Sequence, residues 1–249
     1  MYIEAHTHLE GFKDNIEKAI EIINDKKIIT LANSMDIESY LLNLEYAKKS
    51  QYIVPCFGIH PWSVKKVEFN KEEITEYIKE CKMVGEIGLD FFWEEDKSSY
   101  PKQLEVFEFF IEKSKKYNKV VNIHTKGAEK EILEILSKYN YYRCIIHWYS
   151  GPLDILKELI DKGCYVTISV DVGYSKLTDE IIDSISIDKI LTETDGPTAL
   201  EWVNGEYAYP DKIIDIVDYI AERKNISNKE LKEIIYMNYY TLINNIDRK

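Results

Sequence analysis

Short apolar runs alternate with longer amphipathic segments along the chain. Apolar runs rich in β-branched residues and bounded by polar residues are typical of buried strands. Segments such as NIEKAIEIIND and PLDILKELIDKG carry apolar residues three and four apart, which predicts helices between the strands. The predicted strands are Tyr2–His6, Lys27–Asn33, Tyr52–His60, Met83–Asp90, Val120–Thr125, Arg143–Tyr149, Tyr165–Asp171 and Lys189–Thr194.

Strict alternation of continuously apolar strands with helices indicates a parallel sheet covered by helices. Eight such units favour closure into a (β/α)8 TIM barrel. A doubly wound open sheet is the alternative, but its site would lie at one switch point, whereas polar residues here follow six different strands. The length of 249 residues suits one barrel, so we expect a single domain over residues 1–249. Segment Ser227–Ile246 predicts an extra C-terminal helix on the outside.

Composition and charge narrow the function classes. Hydrophobic residues make up 45% of the chain, yet no apolar run approaches the length of a membrane span. The start, MYIEAHTHLEGF, has no basic stretch before an apolar segment, so we expect a cytoplasmic protein without a membrane partner. A net charge of −12 argues against a broad basic surface for duplex nucleic acid. The four cysteines lie far apart without a CxxC pair, and we expect buried, reduced thiols.

All five histidines fall in four short segments, YIEAHTHL, VPCFGIHP, VVNIHT and CIIHWYS. His6 and His8 are two residues apart, so on an extended strand both imidazoles point to one face, as two ligands of one metal ion require. A single histidine or acid at a strand end is often structural. Burying carboxylates without partners is costly, however, and an adjacent dication removes that cost. The sequence predicts a metal centre whose candidate ligands are His6, His8, Glu86, His124, His147 and Asp195.

Six motifs, in this order and at these separations, resemble those of the TatD family of metal-dependent hydrolases in the amidohydrolase superfamily: HTHL, FGIHPW, VGEIGLDFF, VVNIHT, IIHWYSG and LTETDGP. The likeness extends from Tyr2 to about Asn238. It implies a two-metal site at the C-terminal mouth of a barrel. In that arrangement the first ion is held by His6, His8 and Asp195, the second by His124 and His147, and Glu86 bridges both.

The resemblance also assigns roles beside the metals. His60 resembles the substrate-side histidine that contacts a phosphate, and Asp90 either supports a ligand or is structural. Two dications lower the pKa of a bound water, and Asp195 is the candidate to orient that water and take its proton. Asp195 and Glu86 are therefore the predicted catalytic residues. Imidazole-rich ligation favours two zinc or manganese ions, with magnesium, nickel or cobalt as substitutes.

The chain departs from the family pattern where substrate is expected. Trp93 stands where relatives usually carry an arginine, Lys126 replaces the arginine of a His-Ser-Arg motif, and ALEWVNGEYAYP lacks a recognisable arginine-asparagine stretch. Lysine contacts a phosphate as a point charge, whereas arginine contacts it bidentately. Several aromatics near these segments either pack the barrel or form a platform for unstacked bases. Packing is the favoured interpretation for the group, and Trp93 and Trp202 are the candidates for a platform. We expect His60, Lys126 and Trp93 to contact substrate.

These observations predict a metal-dependent phosphodiesterase that acts on DNA, single-stranded or at an end, because a barrel mouth is deep and the global charge opposes duplex docking. A hydrolase of a small cyclic amide or ester is the first alternative. A partner-binding subunit with structural metal is the second, although a scaffold needs no open two-metal site. The sequence does not set the oligomeric state, and a monomer is our default expectation.

Overall fold

The computed structural model describes residues 1–244 and contains eight parallel strands in the order β1-β2-β3-β4-β5-β6-β7-β8. The strands are β1 Tyr2–Thr7, β2 Ile28–Asn33, β3 Ile53–Phe57, β4 Met83–Asp90, β5 Val120–Lys126, β6 Cys144–Ile146, β7 Tyr165–Ile168 and β8 Ile190–Thr192. Each predicted strand is present. Several are shorter than expected, because the polar residues after them leave the sheet to form the mouth.

Within residues 1–244, ten α-helices accompany the strands: α1 Ile16–Lys26, α2 Ile37–Ala47, α3 Lys71–Glu80, α4 Tyr100–Lys116, α5 Glu129–Tyr139, α6 Leu153–Lys162, α7 Lys176–Ser184, α8 Ala199–Asn204, α9 Lys212–Lys224 and α10 Asn228–Asn244. Their apolar faces cover the sheet, as the three-and-four spacing predicts. None of these helices has the length and apolar character that a membrane crossing requires.

The seam between β1 and β8 nearly closes the barrel. The Asp195 N–H donates to the His6 carbonyl at 3.0 Å, and the His8 N–H donates to the Gly196 carbonyl at 3.0 Å. Lower in the seam, the Thr192 hydroxyl donates to the Ile3 carbonyl at 2.6 Å. The prediction of a (β/α)8 barrel rather than an open sheet is confirmed.

Helix α10 is the predicted extra C-terminal helix, packed outside the barrel beside β1 and β8. The buried Asn238 side chain ties it to the barrel by donating to the carbonyls of Ile187 at 2.8 Å and Ile190 at 2.7 Å. The last part of the predicted helix, residues 245–246, lies outside the described residues. The four cysteines are buried and free, as expected.

Two irregularities in the strand pairing coincide with polar residues. The pairing of β1 with β2 shifts between Glu4 and Thr7, and that of β4 with β5 shifts between Val84 and Ile87. Such bulges re-aim a side chain next to a site. The first therefore sets the direction of His6, and the second sets that of Glu86.

Glycine is required where β4 meets β5. Gly88 pairs with His124 and has a φ of +154°, and a Cβ there would lie 2.0 Å from the His124 carbonyl oxygen. A side chain at this position would therefore push the two strands apart. The close approach holds Glu86 and His124 in reach of one another.

Candidate metal centre

Glu86 lies at the centre of the mouth with its carboxylate between two pairs of imidazoles. One oxygen, Oε2, is 3.4 Å from His6 Nε2 and 3.1 Å from His8 Nε2. The other, Oε1, is 2.8 Å from both His124 Nδ1 and His147 Nε2. The carboxylate is almost fully buried. Each carboxylate oxygen thus lies close to a separate pair of imidazole nitrogens.

The first group brings together side chains at or just after the ends of the first and the last strand of the barrel, β1 and β8. The Nε2 atoms of His6 and His8 are 3.2 Å apart, which confirms that the two imidazoles converge. Asp195 Oδ1 is 3.6 Å from His6 Nε2 and 3.7 Å from His8 Nε2. Asp195 reaches this position because the β1–β8 seam brings its backbone against that of His6.

The second group contains one more histidine than the predicted ligand set. His124 Nδ1 is 3.3 Å from His147 Nε2. His60 Nε2 is 3.4 Å from His124 Nδ1 and 3.5 Å from Glu86 Oε1. The predicted strand through His60 ends early at Phe57, and the following residues turn inward, with the His60 N–H donating to the Met35 carbonyl at 3.0 Å. His60 thus lies at the edge of the ligand cluster, which consists of His6, His8, Glu86, His124, His147 and Asp195.

The spacing of these atoms fits divalent ions. Three groups bring their potential ligand atoms within 4.8 Å of one another: His6 with His8 and Asp195, His60 with Glu86 and His124, and His6 with Glu86 and His147. In a tetrahedral zinc site with bonds of about 2.0–2.1 Å, ligand nitrogens lie roughly 3.3–3.4 Å apart. The nitrogen pairs here, at 3.2 and 3.3 Å, are close to that separation. Moreover, Glu86 Oε2 is buried without a hydrogen bond, which a cation would compensate.

Burial and the neighbouring charges shift the pKa values of these groups in opposite directions. Burial alone would raise the pKa of Glu86, but His60, His147 and His6, with a hydrogen bond from His124, hold that pKa well below its ordinary value. Burial likewise favours the neutral form of His147, yet Glu86 and Glu193 raise its pKa to about 10. For His60 burial prevails and lowers the pKa to about 4. The pKa values of these two rings are therefore shifted in opposite directions.

A second layer of polar side chains faces the far nitrogen of each ligand ring. Asn122 Oδ1 is 3.1 Å from His6 Nδ1, and Glu10 Oε1 is 3.4 Å from His8 Nδ1. Glu193 Oε1 is 3.6 Å from His147 Nδ1. Such partners fix the orientation of a ligating imidazole and raise its basicity. Asn122, Glu10 and Glu193 were not predicted from the sequence.

Asp90 serves both roles that the sequence left open. Its Oδ2 lies 3.0 Å from His124 Nε2 and accepts from Trp62 Nε1 at 2.9 Å. Its Oδ1 accepts from the backbone N–H of Phe92 at 3.0 Å and of Trp93 at 2.7 Å. Asp90 therefore orients one ring of the cluster and also anchors the loop that carries Trp93.

Comparison with known proteins identifies the family of this chain. The sequence model of the TatD related DNase family matches residues 3–244. The chain belongs to the TatD family. It is 29% identical to an uncharacterized metal-dependent hydrolase of Methanocaldococcus jannaschii, covering 95% of this chain and 94% of the relative. It is 26% identical to the uncharacterized metal-dependent hydrolase YabD of Bacillus subtilis, covering 94% of this chain and 95% of that one.

Among solved structures, the TatD homologue YJJV of Escherichia coli has the same fold, with a TM-score of 0.88 and 21% identity over 98% of each chain. The chain is thus a metal-dependent hydrolase of the TatD family, with histidine, glutamate and aspartate groups that could bind the metal.

The predicted substrate residues of this TatD family chain line one cavity of about 860 Å³ above the ligand cluster. His60, Lys126 and Trp93 all face it. Lys126 Nζ donates to the Trp148 carbonyl at 2.5 Å and to the Ser150 hydroxyl at 3.2 Å, and burial lowers its pKa. Trp93 is 63% exposed. Lys126 is therefore hydrogen-bonded to the cavity wall, whereas the Trp93 side chain is largely open to solvent.

Proposed function

We propose that this protein hydrolyses phosphodiester bonds of DNA, at single strands or ends, with two divalent ions held by the ligand cluster. The observation that carries the proposal is the division of the Glu86 carboxylate between two pairs of imidazoles. One carboxylate that serves two nitrogen pairs suits a bridging ligand. The family description, TatD related DNase, supports the choice of DNA.

The ligands would divide as the resemblance implies, with Glu86 common to both ions, and zinc or manganese suits so many imidazoles. When bound, such ions polarise a phosphoryl oxygen and lower the pKa of water. Asp195 is 13% exposed and lines the cavity, so its carboxylate can accept a proton from an attacking water. The buried layer of Asn122, Glu193 and Asp90 keeps the ligand rings oriented during turnover.

Lys126 provides a positive group beside the reacting phosphate. Its ammonium lies on the same cavity wall as His124 and His147 and is held by the Trp148 carbonyl and the Ser150 hydroxyl. A single fixed cation can position one phosphate and stabilise charge that develops on it. His60, at the edge of the cluster, can contact a second oxygen of that phosphate.

The apolar character of the cavity favours one other candidate, a hydrolase of a small cyclic amide or ester. Aromatic side chains line much of the wall, and neutral ligands suit such surfaces. The catalytic cluster would be the same. The two functions differ in their need for Lys126 and for a substrate phosphate.

The test is turnover by zinc-loaded and manganese-loaded protein of a labelled single-stranded oligonucleotide, a chromogenic phosphodiester and a dihydropyrimidine-type amide. We expect metal-dependent cleavage of both phosphodiesters and a reduced rate for Lys126→Ala on the oligonucleotide. Lys130→Ala, which removes an exposed lysine of α5, is the matched control. Amide turnover without any phosphodiester cleavage would overturn the proposal in favour of the alternative. Cytoplasmic location and a monomeric state stay predictions.

A further inference from the structure

The cavity above the ligand cluster has aromatic walls. Five aromatic side chains line it: Trp62, Phe92, Trp93, Trp148 and Trp202. Its volume of about 860 Å³ lies within the range of pockets that enclose a small ligand, roughly 300–1,000 Å³. A pocket of this size can enclose one or two nucleotides but not a longer strand.

The exposed aromatics lie on opposite sides of the mouth. Phe92 and Trp93 follow β4, whereas Trp202 lies on α8, after β8. These strands are four places apart in an eight-stranded order, so their ends face each other across the barrel. Phe92 and Trp202 are each 67% exposed, and Trp93 is 63% exposed. Large aromatic side chains this open to solvent at a cavity are typical of a binding surface.

Each side presents more than one ring. Phe92 and Trp93 meet edge to face with ring centroids 4.8 Å apart. Trp148 and Trp202 are nearly parallel, at 12°, with centroids 6.4 Å apart. Planar bases stack on such faces regardless of sequence. The mouth therefore offers two aromatic walls for planar groups.

Positive charge, in contrast, is scarce. Of the described residues that line the cavity, Lys126 is the one lysine or arginine, while Glu10, Glu86, Glu129 and Asp195 are acidic. The Lys126 ammonium already donates to the Trp148 carbonyl and the Ser150 hydroxyl. Proteins that follow a long strand combine stacking with a positively charged groove along the backbone. The lining has the stacking faces without such a groove.

We propose that the cavity holds only the terminal one or two nucleotides of its substrate, with bases stacked on the Phe92–Trp93 wall and the Trp148–Trp202 wall. This inference rests on the proposed phosphodiesterase function. Phosphates beyond the second nucleotide lie outside the cavity and contribute nothing to binding. A dinucleotide is then as good a substrate as a long single strand.

The first experiment compares kcat/KM for DNA strands of two, four, eight and twenty nucleotides across a range of salt concentrations. We expect values within about threefold and a slope of log kcat/KM against log salt near −0.7, which is the contribution of about one phosphate in a single strand. A tenfold or greater rise between two and eight nucleotides, or a slope near −3, would overturn the inference while leaving the phosphodiesterase function intact.

The second experiment measures binding without turnover, by quenching of tryptophan fluorescence in chelator-treated protein titrated with a dinucleotide and a twenty-nucleotide strand. We expect similar dissociation constants for the two and about tenfold weaker dinucleotide binding by Trp202→Ala, within the range for loss of one base–aromatic stack. Tyr240→Ala, which removes an exposed aromatic of α10, should bind as the parent does. Tighter binding of the long strand, or unchanged binding by Trp202→Ala, contradicts the inference even if no phosphodiester is cleaved.

Discussion

The mouth and the base of the barrel differ in how their charged side chains are hydrogen-bonded. At the mouth, the buried oxygens Glu86 Oε2, Glu4 Oε2 and both oxygens of Glu193 lack hydrogen bonds. At the base, Arg143 donates to the Asn118 carbonyl at 2.6 Å and to the carbonyls of Leu242 and Ile243 at 3.0 and 2.8 Å. These carboxylate oxygens at the mouth have no hydrogen-bond donor, whereas Arg143 at the base is hydrogen-bonded to several backbone carbonyls.

This difference separates function from stability. An unpaired buried polar atom costs roughly 1–3 kcal/mol, and a ligand bound at the mouth would offset that cost there. Hydrogen-bonded cations at the base instead tie elements together, and Arg143 links β6 to the end of α10. Substitutions at the mouth should therefore change activity with little change in stability, and substitutions at the base should do the reverse.

The largest expected effect is on turnover by Asp195→Asn. The amide keeps the size of the side chain but cannot accept a proton from water, so we expect kcat to fall by at least about 100-fold, the lower range for loss of a general base. The thermal midpoint and circular dichroism should stay near those of the parent. Retained activity would move proton transfer to another group, and a collapsed fold would make Asp195 structural.

The next effect is on metal affinity, through Glu193→Gln. Glu193 is fully buried, and its Oε1 lies 3.6 Å from His147 Nδ1. Loss of a charged partner behind a ligating histidine typically weakens metal binding by about 10–100-fold. Competition with a chromophoric chelator measures this change.

Glu129→Gln is the matched control for that measurement. Its carboxylate also lines the cavity, but it accepts from the Gly127 N–H at 3.1 Å instead of facing a histidine. Metal affinity should therefore be unchanged in this variant. Equal weakening by both substitutions would show that general negative charge at the mouth, and not orientation of His147, sets the affinity.

The sequence could predict the ligand cluster because strand periodicity and parallel topology together place strand ends at one mouth. The same periodicity also marks the second layer. Glu4 and Asn122 each stand two residues before a cluster residue, namely His6 and His124, and so lie on the same strand face one level deeper. Glu193 has the same spacing from Asp195, just after β8. A polar residue at that position inside an apolar run is a usable signal for such a layer.

Other features depend on the path of loops and could not be predicted. Glu10 reaches His8 through a 3₁₀ segment at Leu9–Asn15, and Trp148 has a positive φ of 32° after β6. The turn of His60 into the cluster depends on its contact with Met35, which belongs to a different strand–helix loop. Local patterns do not encode such tertiary contacts, which is why the convergence of the strand-end side chains was easier to predict than the cavity wall.

The smallest expected effect is on stability, through Arg143→Ala at the base. This change removes the bonds to the Leu242 and Ile243 carbonyls that end α10, and to the Asn118 carbonyl before β5. Hydrogen bonds from a charged group contribute about 1.5–3 kcal/mol, and partial exposure of Arg143 favours the lower end, so we expect about 1.5 kcal/mol less stability in urea unfolding. Lys130→Ala, whose ammonium forms only a long exposed pair with Glu134 at 3.9 Å, should cost less than about 0.5 kcal/mol. Turnover of Arg143→Ala below its unfolding transition should match that of the parent, because Arg143 is not among the described residues that line the mouth cavity. A large loss of activity in this folded variant would show that the two ends of the barrel are coupled and would contradict the separation of function from stability.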